Sequence, residues 1–324
     1  MKINYMILFF TITILHNSVI SWKKNCTKKL KTNLQVTNCK NELSKDEQCI
    51  IITKNNNVYC NSEADLYIKE NDFLRNKELI TISPGGFKGF YLLGVLTFIK
   101  ENYVLDNFIF SGASAGSWNA LFMCYKGDAL ELVYKLLDLN IQKAKTISEL
   151  QYFMKYNLLS NYKETDFDLQ RLFIGVTTFK RMIPITNIFS GFNDLDDAIN
   201  CCMASSHIPF ITGGITNRYH NMYSFDGGFS SYPYLHKDNS VLHVSHTMWD
   251  DIIKNKNKTR SIKGVIKSLK HFSDFFSISK NNFIELFDNG YNDAKNHKKF
   301  LDEIFIERTQ ENKQEDKQEH NVEF

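Results

Sequence analysis

The sequence predicts an α/β fold, with a mostly parallel central sheet covered by helices on both faces. Three observations predict it. Short apolar runs alternate with longer amphipathic stretches from residue 79 onward. Two of those runs end in glycine-rich turns that lead straight into helical periodicity. Hydrophobic residues make up 43% of the chain and aromatic residues 14%, enough for a sizeable core. Strand, helix, strand, helix in this order favours parallel pairing, because each crossover between parallel strands carries a covering helix.

Taken in order, residues 79–83 (Leu-Ile-Thr-Ile-Ser) form a buried strand that enters a tight loop at Pro84-Gly85-Gly86. Residues 89–101 follow as a helix with Tyr91, Leu92, Val95, Leu96 and Ile99 as its buried stripe. A second strand is expected at 108–110 and a second helix at 117–139. Residues 172–178 and 183–189 read as two more strands. The next helix, 194–206, is opened by Asp194 and stopped ahead of Pro209. Short strands at 223–225 and 241–244 come next, then a Lys- and Asn-rich stretch at 251–263 that reads as an exposed loop. The aromatic-rich residues 272–276 and 283–287 suit a core-packed helix better than a membrane-docking one.

The N-terminus carries a different signal. Lys2 precedes an apolar stretch at 6–15 that stops at His16 and Asn17. That is shorter than the roughly 20 residues that span a bilayer. Val19 and Ser21 fit a small-residue cleavage site, so residues 1–21 are expected to be a secretory signal peptide, with an uncleaved signal anchor as the alternative. The expected location is therefore outside the cell or in the secretory lumen. Four of the seven cysteines (Cys26, Cys39, Cys49 and Cys60) cluster in the segment 22–75, which reads as a cysteine-containing N-terminal extension. In an oxidising compartment they are expected to form disulfides, and three pairings are open. No CxxC pair favours zinc instead. Cys124, Cys201 and Cys202 lie in apolar helical stretches and read as buried thiols. Sequons at Asn25 and Asn257 agree with export. The remaining divisions are a main domain at 76–307 and a polar, disordered tail at 308–324. A net charge of +3 gives no support for nucleic-acid binding.

The sharpest local feature is Gly112-Ala113-Ser114-Ala115-Gly116, a G-x-S-x-G pattern between an expected strand and an expected helix. On such a turn the serine is pushed out at the end of the sheet, the flanking glycines avoid clashes, and the helix N-terminus favours developing negative charge. Ser114 is thus the candidate nucleophile, with Gly112 and Gly116 shaping its elbow. A nucleophilic serine needs a base and an oxyanion hole. Upstream, Ser83-Pro84-Gly85-Gly86-Phe87-Lys88-Gly89 is a second strand-to-helix loop with N–H groups to offer. Downstream, Asp226-Gly227-Gly228 follows a short strand, the position where open α/β sheets gather their functional groups.

Together these three elements resemble the patatin-like phospholipase family, in which a glycine-rich loop, a G-x-S-x-G elbow and an Asp-Gly-Gly segment occur in this order. Asp196-Asp197-Ala198 through Cys202-Met-Ala-Ser-Ser-His-Ile-Pro-Phe210 extends the resemblance, which covers roughly residues 79 to 245. It implies a three-layer α/β/α fold and a serine lipid acyl hydrolase that forms an acyl-enzyme through a Ser114–Asp226 dyad without histidine. Gly85, Gly86, Phe87 and Lys88 would give N–H groups to the oxyanion, and Gly89 would let the helix pack closely. Pro84 departs from the family's usual glycine and donates no N–H. The implied partner is a membrane or lipid aggregate presenting acyl esters; no metal or cofactor is expected.

Three other readings stand beside this one. An α/β-hydrolase triad would recruit His236, His243 or His246, whereas His207 and His220 read as surface or structural residues. A lipid-binding or storage protein would keep the fold with a weakened site. Acyl transfer to an acceptor other than water would use the same dyad. Trp118, Phe122 and Met123, on the helix after Ser114, suit either an acyl pocket or the core.

Overall fold

The computed structural model describes residues 51–308 except 55–56, 61, 138–140, 142, 181–182, 216, 231, 238–239 and 251–281. Several expectations lie outside these residues: the leader, Cys26, Cys39, Cys49 and the Cys60 thiol, both sequons, the 251–263 loop, the 272–276 aromatics and the tail beyond 308.

In chain order the elements are β1 (Ile51–Lys54), β2 (Asn57–Cys60), α1 (Ser62–Glu70), α2 (Asp72–Arg75), β3 (Glu78–Ile82), α3 (Gly89–Asn102), β4 (Phe108–Gly112), α4 (Ala115–Cys124), α5 (Ala129–Leu136), α6 (Ile147–Asn161), β5 (Leu172–Lys180), β6 (Ile183–Phe189), α7 (Leu195–Ser205), β7 (Asn217–Tyr219), β8 (Met222–Phe225), β9 (Ser240–Val244), α8 (Phe283–Asn296) and α9 (Lys298–Leu301). They build a mixed sheet in the order β1-β2-β6-β5-β4-β3-β9. Its central strands β5, β4, β3 and β9 run parallel. β6 returns antiparallel to β5, and β8 pairs antiparallel with the far half of β5.

Burial along the strands shows the layers. Every residue of β4 and four of the five in β3 are buried, as expected for strands covered on both faces. Ile80 and Ile82, Phe108 and Phe110, and Leu172, Ile174 and Val176 point into one core. The alternate residues Leu79, Ile109 and Phe173 join a second cluster with Ala64 and Leu74. Because strand side chains alternate between faces, the two clusters occupy opposite sides of the sheet. The fold is therefore the expected three-layer α/β/α arrangement. Its thinner layer contains α1 and α2, from a region whose sequence shows little helical periodicity.

The other layer holds α3, α4 and the helices packed on them. α3 is buried on almost every side rather than along one stripe, because α8 lies against it. The approach is backbone to backbone: a Cβ on Gly94 would sit 2.0 Å from the Phe287 carbonyl oxygen, and one on Gly290 would sit 2.0 Å from that of Tyr91. Tyr91 is only partly buried and donates its hydroxyl to Asp293 at 2.7 Å. Phe283 stacks on Phe90 with ring centroids 4.5 Å apart, and Phe287 is buried beside it. The 283–287 aromatics thus serve the core. Cys124, Cys201 and Cys202 are buried free thiols, as expected.

The helix expected at 117–139 differs from the one formed. It begins at Ala115, ends at Cys124, and resumes as α5 after Asp128. Two caps break it. The Lys100 ammonium binds the Met123 and Tyr125 carbonyls at the end of α4, and the Asp128 carboxylate accepts the Glu131 N–H at 3.0 Å to start α5. No helix among the described residues is long and apolar enough to cross a membrane.

Candidate active site

The elbow is built where β4 meets α4. Ser114 sits between them at φ 55 and ψ −128, a conformation that ordinary residues avoid at a cost of about 1–3 kcal/mol. The flanking glycines make it possible. A Cβ on Gly116 would lie 2.2 Å from the Ile82 carbonyl oxygen, and one on Gly112 would lie 2.0 Å from that of Gly116. Only bare backbone lets α4 start this close to the end of β3.

Asp226 arrives from the end of β8. Its N–H donates to the His207 carbonyl at 2.8 Å, which fixes the turn to the end of α7. The Ser114 hydroxyl donates to Asp226 Oδ2 at 2.6 Å, and the Gly228 N–H donates to Oδ1 at 2.6 Å. Asp226 is 5% exposed. Burial raises its pKa from 3.8 to about 6, against the opposing pull of the two hydrogen bonds. A carboxylate lifted this far is a better base for a hydroxyl than an ordinary aspartate.

No histidine among the described residues intervenes. Among the described residues the Asp226 carboxylate is bonded to Ser114 and Gly228 and to no imidazole. His243 Nδ1 is instead paired with the Thr81 hydroxyl at 2.8 Å, and His236 packs against Tyr232. His207 is buried, with its ring toward Thr212, and touches the site through its backbone. His220 stacks on Tyr219.

The loop after β3 faces the elbow. Gly86 adopts φ 53 and opens a short 3-10 turn, Gly86–Lys88, that runs into α3. This turn consumes one of the expected oxyanion donors, Lys88, and satisfies the N–H of Gly89 as well. The Lys88 N–H donates to the Gly85 carbonyl at 3.0 Å, and the Gly89 N–H donates back to Gly86 and Phe87. The N–H groups of Gly85, Gly86 and Phe87 have no acceptor among the described residues. Gly86 and Phe87 also line the cavity that contains Ser114. The Lys88 side chain is partly buried, which lowers the pKa of its ammonium. The Asn119 amide holds the Gly89 carbonyl at 3.1 Å and that of Ala115 at 2.9 Å, tying this loop to α4.

Ser114 and Asp226 lie in the wall of a largely apolar cavity whose sides include Phe90, Leu93, Trp118, Phe122, Leu150 and Met154. Of the three apolar residues singled out after the elbow, Trp118 and Phe122 line it, whereas Met123 is wholly buried in the core. Sequence reading missed α6, which supplies Leu150, Gln151 and Met154. The signal for it was Thr146-Ile-Ser-Glu149: the Thr146 hydroxyl caps the Glu149 N–H at 3.1 Å, and Glu149 reaches back to the Lys145 N–H at 2.7 Å. It also assigned no task to Ser205 or Ser206. Ser206 Oγ accepts from Gln151 at 2.8 Å and from the Trp118 indole at 3.2 Å. No group of three or more His, Cys, Asp or Glu side chains able to hold a metal occurs among the described residues.

Residues 80–235 match the family model described as patatin-like phospholipase. The matched span holds Gly85 to Gly89, Ser114 and Asp226. A search of curated proteins found no match.

Proposed function

We propose, from the match of residues 80–235 to the patatin-like phospholipase family model, that the protein is a serine lipid acyl hydrolase in which Ser114 is the nucleophile and Asp226 the general base. The observation that carries this is the 2.6 Å hydrogen bond between the Ser114 hydroxyl and a buried carboxylate at the wall of an apolar cavity. Asp226 takes the serine proton as Ser114 Oγ attacks the ester carbonyl, then delivers it to the departing alcohol. The acyl group remains on Ser114 while its chain lies against residues such as Trp118, Phe122 and Leu93. Water then enters, gives a proton to Asp226, and releases the fatty acid as that proton returns to Ser114.

The oxyanion is assigned to the N–H groups of Gly86 and Phe87, two residues that line the cavity and whose N–H groups have no acceptor among the described residues. Fixed donors of this kind contribute heavily because they need no reorganisation as charge develops. The substrate class is an acyl ester presented by a membrane or lipid aggregate, in keeping with the apolar cavity. The test is fatty acid release from phospholipid vesicles and p-nitrophenyl acyl esters in the presence of a calcium chelator. Wild type is expected to turn over, and Ser114→Ala and Asp226→Ala to lose at least about 10³-fold in kcat. A folded wild type that is inactive across the panel refutes hydrolysis and leaves lipid binding as the function. Full activity in either variant refutes the assignment of that residue.

A further inference from the structure

We infer that Ser205 is a positioning residue that sets the reach between Ser114 and Asp226; this rests on the proposed roles of those two groups. The pair comes from separate parts of the chain, one after β4 and one after β8. A hydrogen bond between them is useful only if both turns are referred to a common point.

That point is the Gly175 carbonyl on β5. Ser205, at the end of α7 and wholly buried, donates its hydroxyl to the Gly175 oxygen at 2.7 Å. The same hydroxyl accepts the Ser114 N–H at 2.8 Å. On the base side, Gly227 packs against the same oxygen so closely that a Cβ there would lie 2.4 Å from it. The nucleophile is thus held to Gly175 through one buried hydroxyl, and the base turn is held to it by direct contact. β5 is well suited as the anchor, because it pairs with β4 through Ile174 and Gly112 and with β8 through Thr177 and Phe225.

The other backbone group of Ser114 is also held. Its carbonyl accepts from the Ser117 hydroxyl at 2.6 Å and from the Ser117 N–H at 2.9 Å. A non-glycine residue in this backbone conformation persists only when its surroundings over-determine it. Ser117 belongs to the same helix as the elbow and moves with it. Ser205 supplies the tie from outside, so losing its hydroxyl releases the Ser114 N–H and lets the elbow relax away from Asp226. The hydroxyl does not touch substrate. Its effect appears in the rate of the chemical step and not in binding.

The test uses the full chain with p-nitrophenyl acyl esters and, independently, the rate at which a fluorophosphonate labels Ser114. Ser205→Ala is expected to lower kcat and labelling rate together by about 10- to 100-fold, the scale of a small misplacement of a reacting group. KM should stay within about twofold, and Ser205→Thr, which keeps the hydroxyl, should recover most of the rate. Thr97→Val removes a buried hydroxyl that bonds only Leu93 within α3, and serves as the control for general loosening. Folded Ser205→Ala with unchanged kcat and labelling overturns the inference. So does an equal loss in Thr97→Val. If Ser205→Ala does not fold, Ser205→Cys keeps the volume with a weak donor and carries the same expectations. A wild type that neither turns over nor labels overturns the underlying reading of Ser114, whereas an active wild type with an indifferent Ser205 sinks only this one.

Discussion

Replacing Asp226 by Asn separates the energetics of the buried carboxylate from its shape. The amide keeps the size of the side chain, can still accept the Gly228 N–H, and can turn its NH2 toward the Ser114 hydroxyl. It cannot ionise. In the wild type, burial raises the folded-state pKa from 3.8 to about 6. At about 1.4 kcal/mol per pH unit, this corresponds to about 3 kcal/mol. The sign follows from proton linkage. The folded state holds the Asp226 proton more tightly than the unfolded state, so this contribution is full below about pH 4 and lost as pH rises through about 6. The variant has no such loss. The stability of Asp226→Asn relative to wild type should therefore rise by about 3 kcal/mol between pH 4 and pH 8. In a domain of this size that corresponds to a relative gain of roughly 6 to 12 °C in melting midpoint. Thermal and urea unfolding of both proteins across this pH range measure it, because other titrating groups cancel in the difference. A stability difference that is flat with pH, or that moves against the variant at alkaline pH, would show that Asp226 is not a carboxylate held under desolvation.

Three further outcomes follow from the same geometry. The acid limb of kcat/KM should rise with pH to a midpoint of about 6, since Asp226 must be ionised to accept the serine proton; a midpoint near 4 on a phospholipid or p-nitrophenyl substrate would refute it. Gly94→Ala should destabilise the fold by about 3 kcal/mol in urea titrations, because the added methyl meets the Phe287 carbonyl oxygen at 2.0 Å and α3 must part from α8; a change within about 0.5 kcal/mol would contradict that packing. Trp118→Ala and Phe122→Ala should deepen the cavity and shift the kcat/KM ratio of long over short acyl esters upward by about tenfold, and an unchanged chain-length profile would move the acyl chain elsewhere.

The parts of the site that were legible in the sequence are those where local backbone geometry forces residue identity. Gly112 and Gly116 stand out because no side chain fits between β3, β4 and α4, and the tight elbow they permit is visible as a five-residue pattern. Asp226 was legible by its place at a strand end. The strand runs at 79–83, 172–178 and 183–189 were legible because strands covered on both faces are mostly apolar and rich in β-branched residues. What stayed hidden depends on chain segments that meet only in three dimensions. Ser205 looks like any helix-end serine until β5 brings Gly175 beneath it. The burial of α3 on all sides was marked only by Gly94 and Gly290, whose pairing no local window reveals. Ala64 and Leu74 seal the second face with so few apolar positions that residues 62–75 show no clear stripe. The glycine-rich loop does face the elbow, but the expectation of Lys88 as an N–H donor fails because the 3-10 turn uses that N–H itself, whereas Gly89 does allow the close approach to Ala115 expected of it.

Among the described residues Asp226 has no imidazole partner, which makes desolvation the central variable of the proposed dyad. In a triad the base has a pKa near neutrality by its own chemistry, and the surroundings need only orient it. In the proposed dyad a carboxyl must be brought there by burial, so basicity and instability would arise from one cause. Water reaching Asp226 would return its pKa toward 3.8, recover stability and weaken the base together. The two short hydrogen bonds to the carboxylate limit the other extreme, because burial without them would raise the pKa further and leave less of the ionised base at neutral pH. The Gly228 N–H holds one oxygen permanently, while the Ser114 hydroxyl holds the other only until its proton moves. The apolar lining around Trp118 and Phe122 then serves two ends at once, since a chain lying there excludes the water that would undo the base.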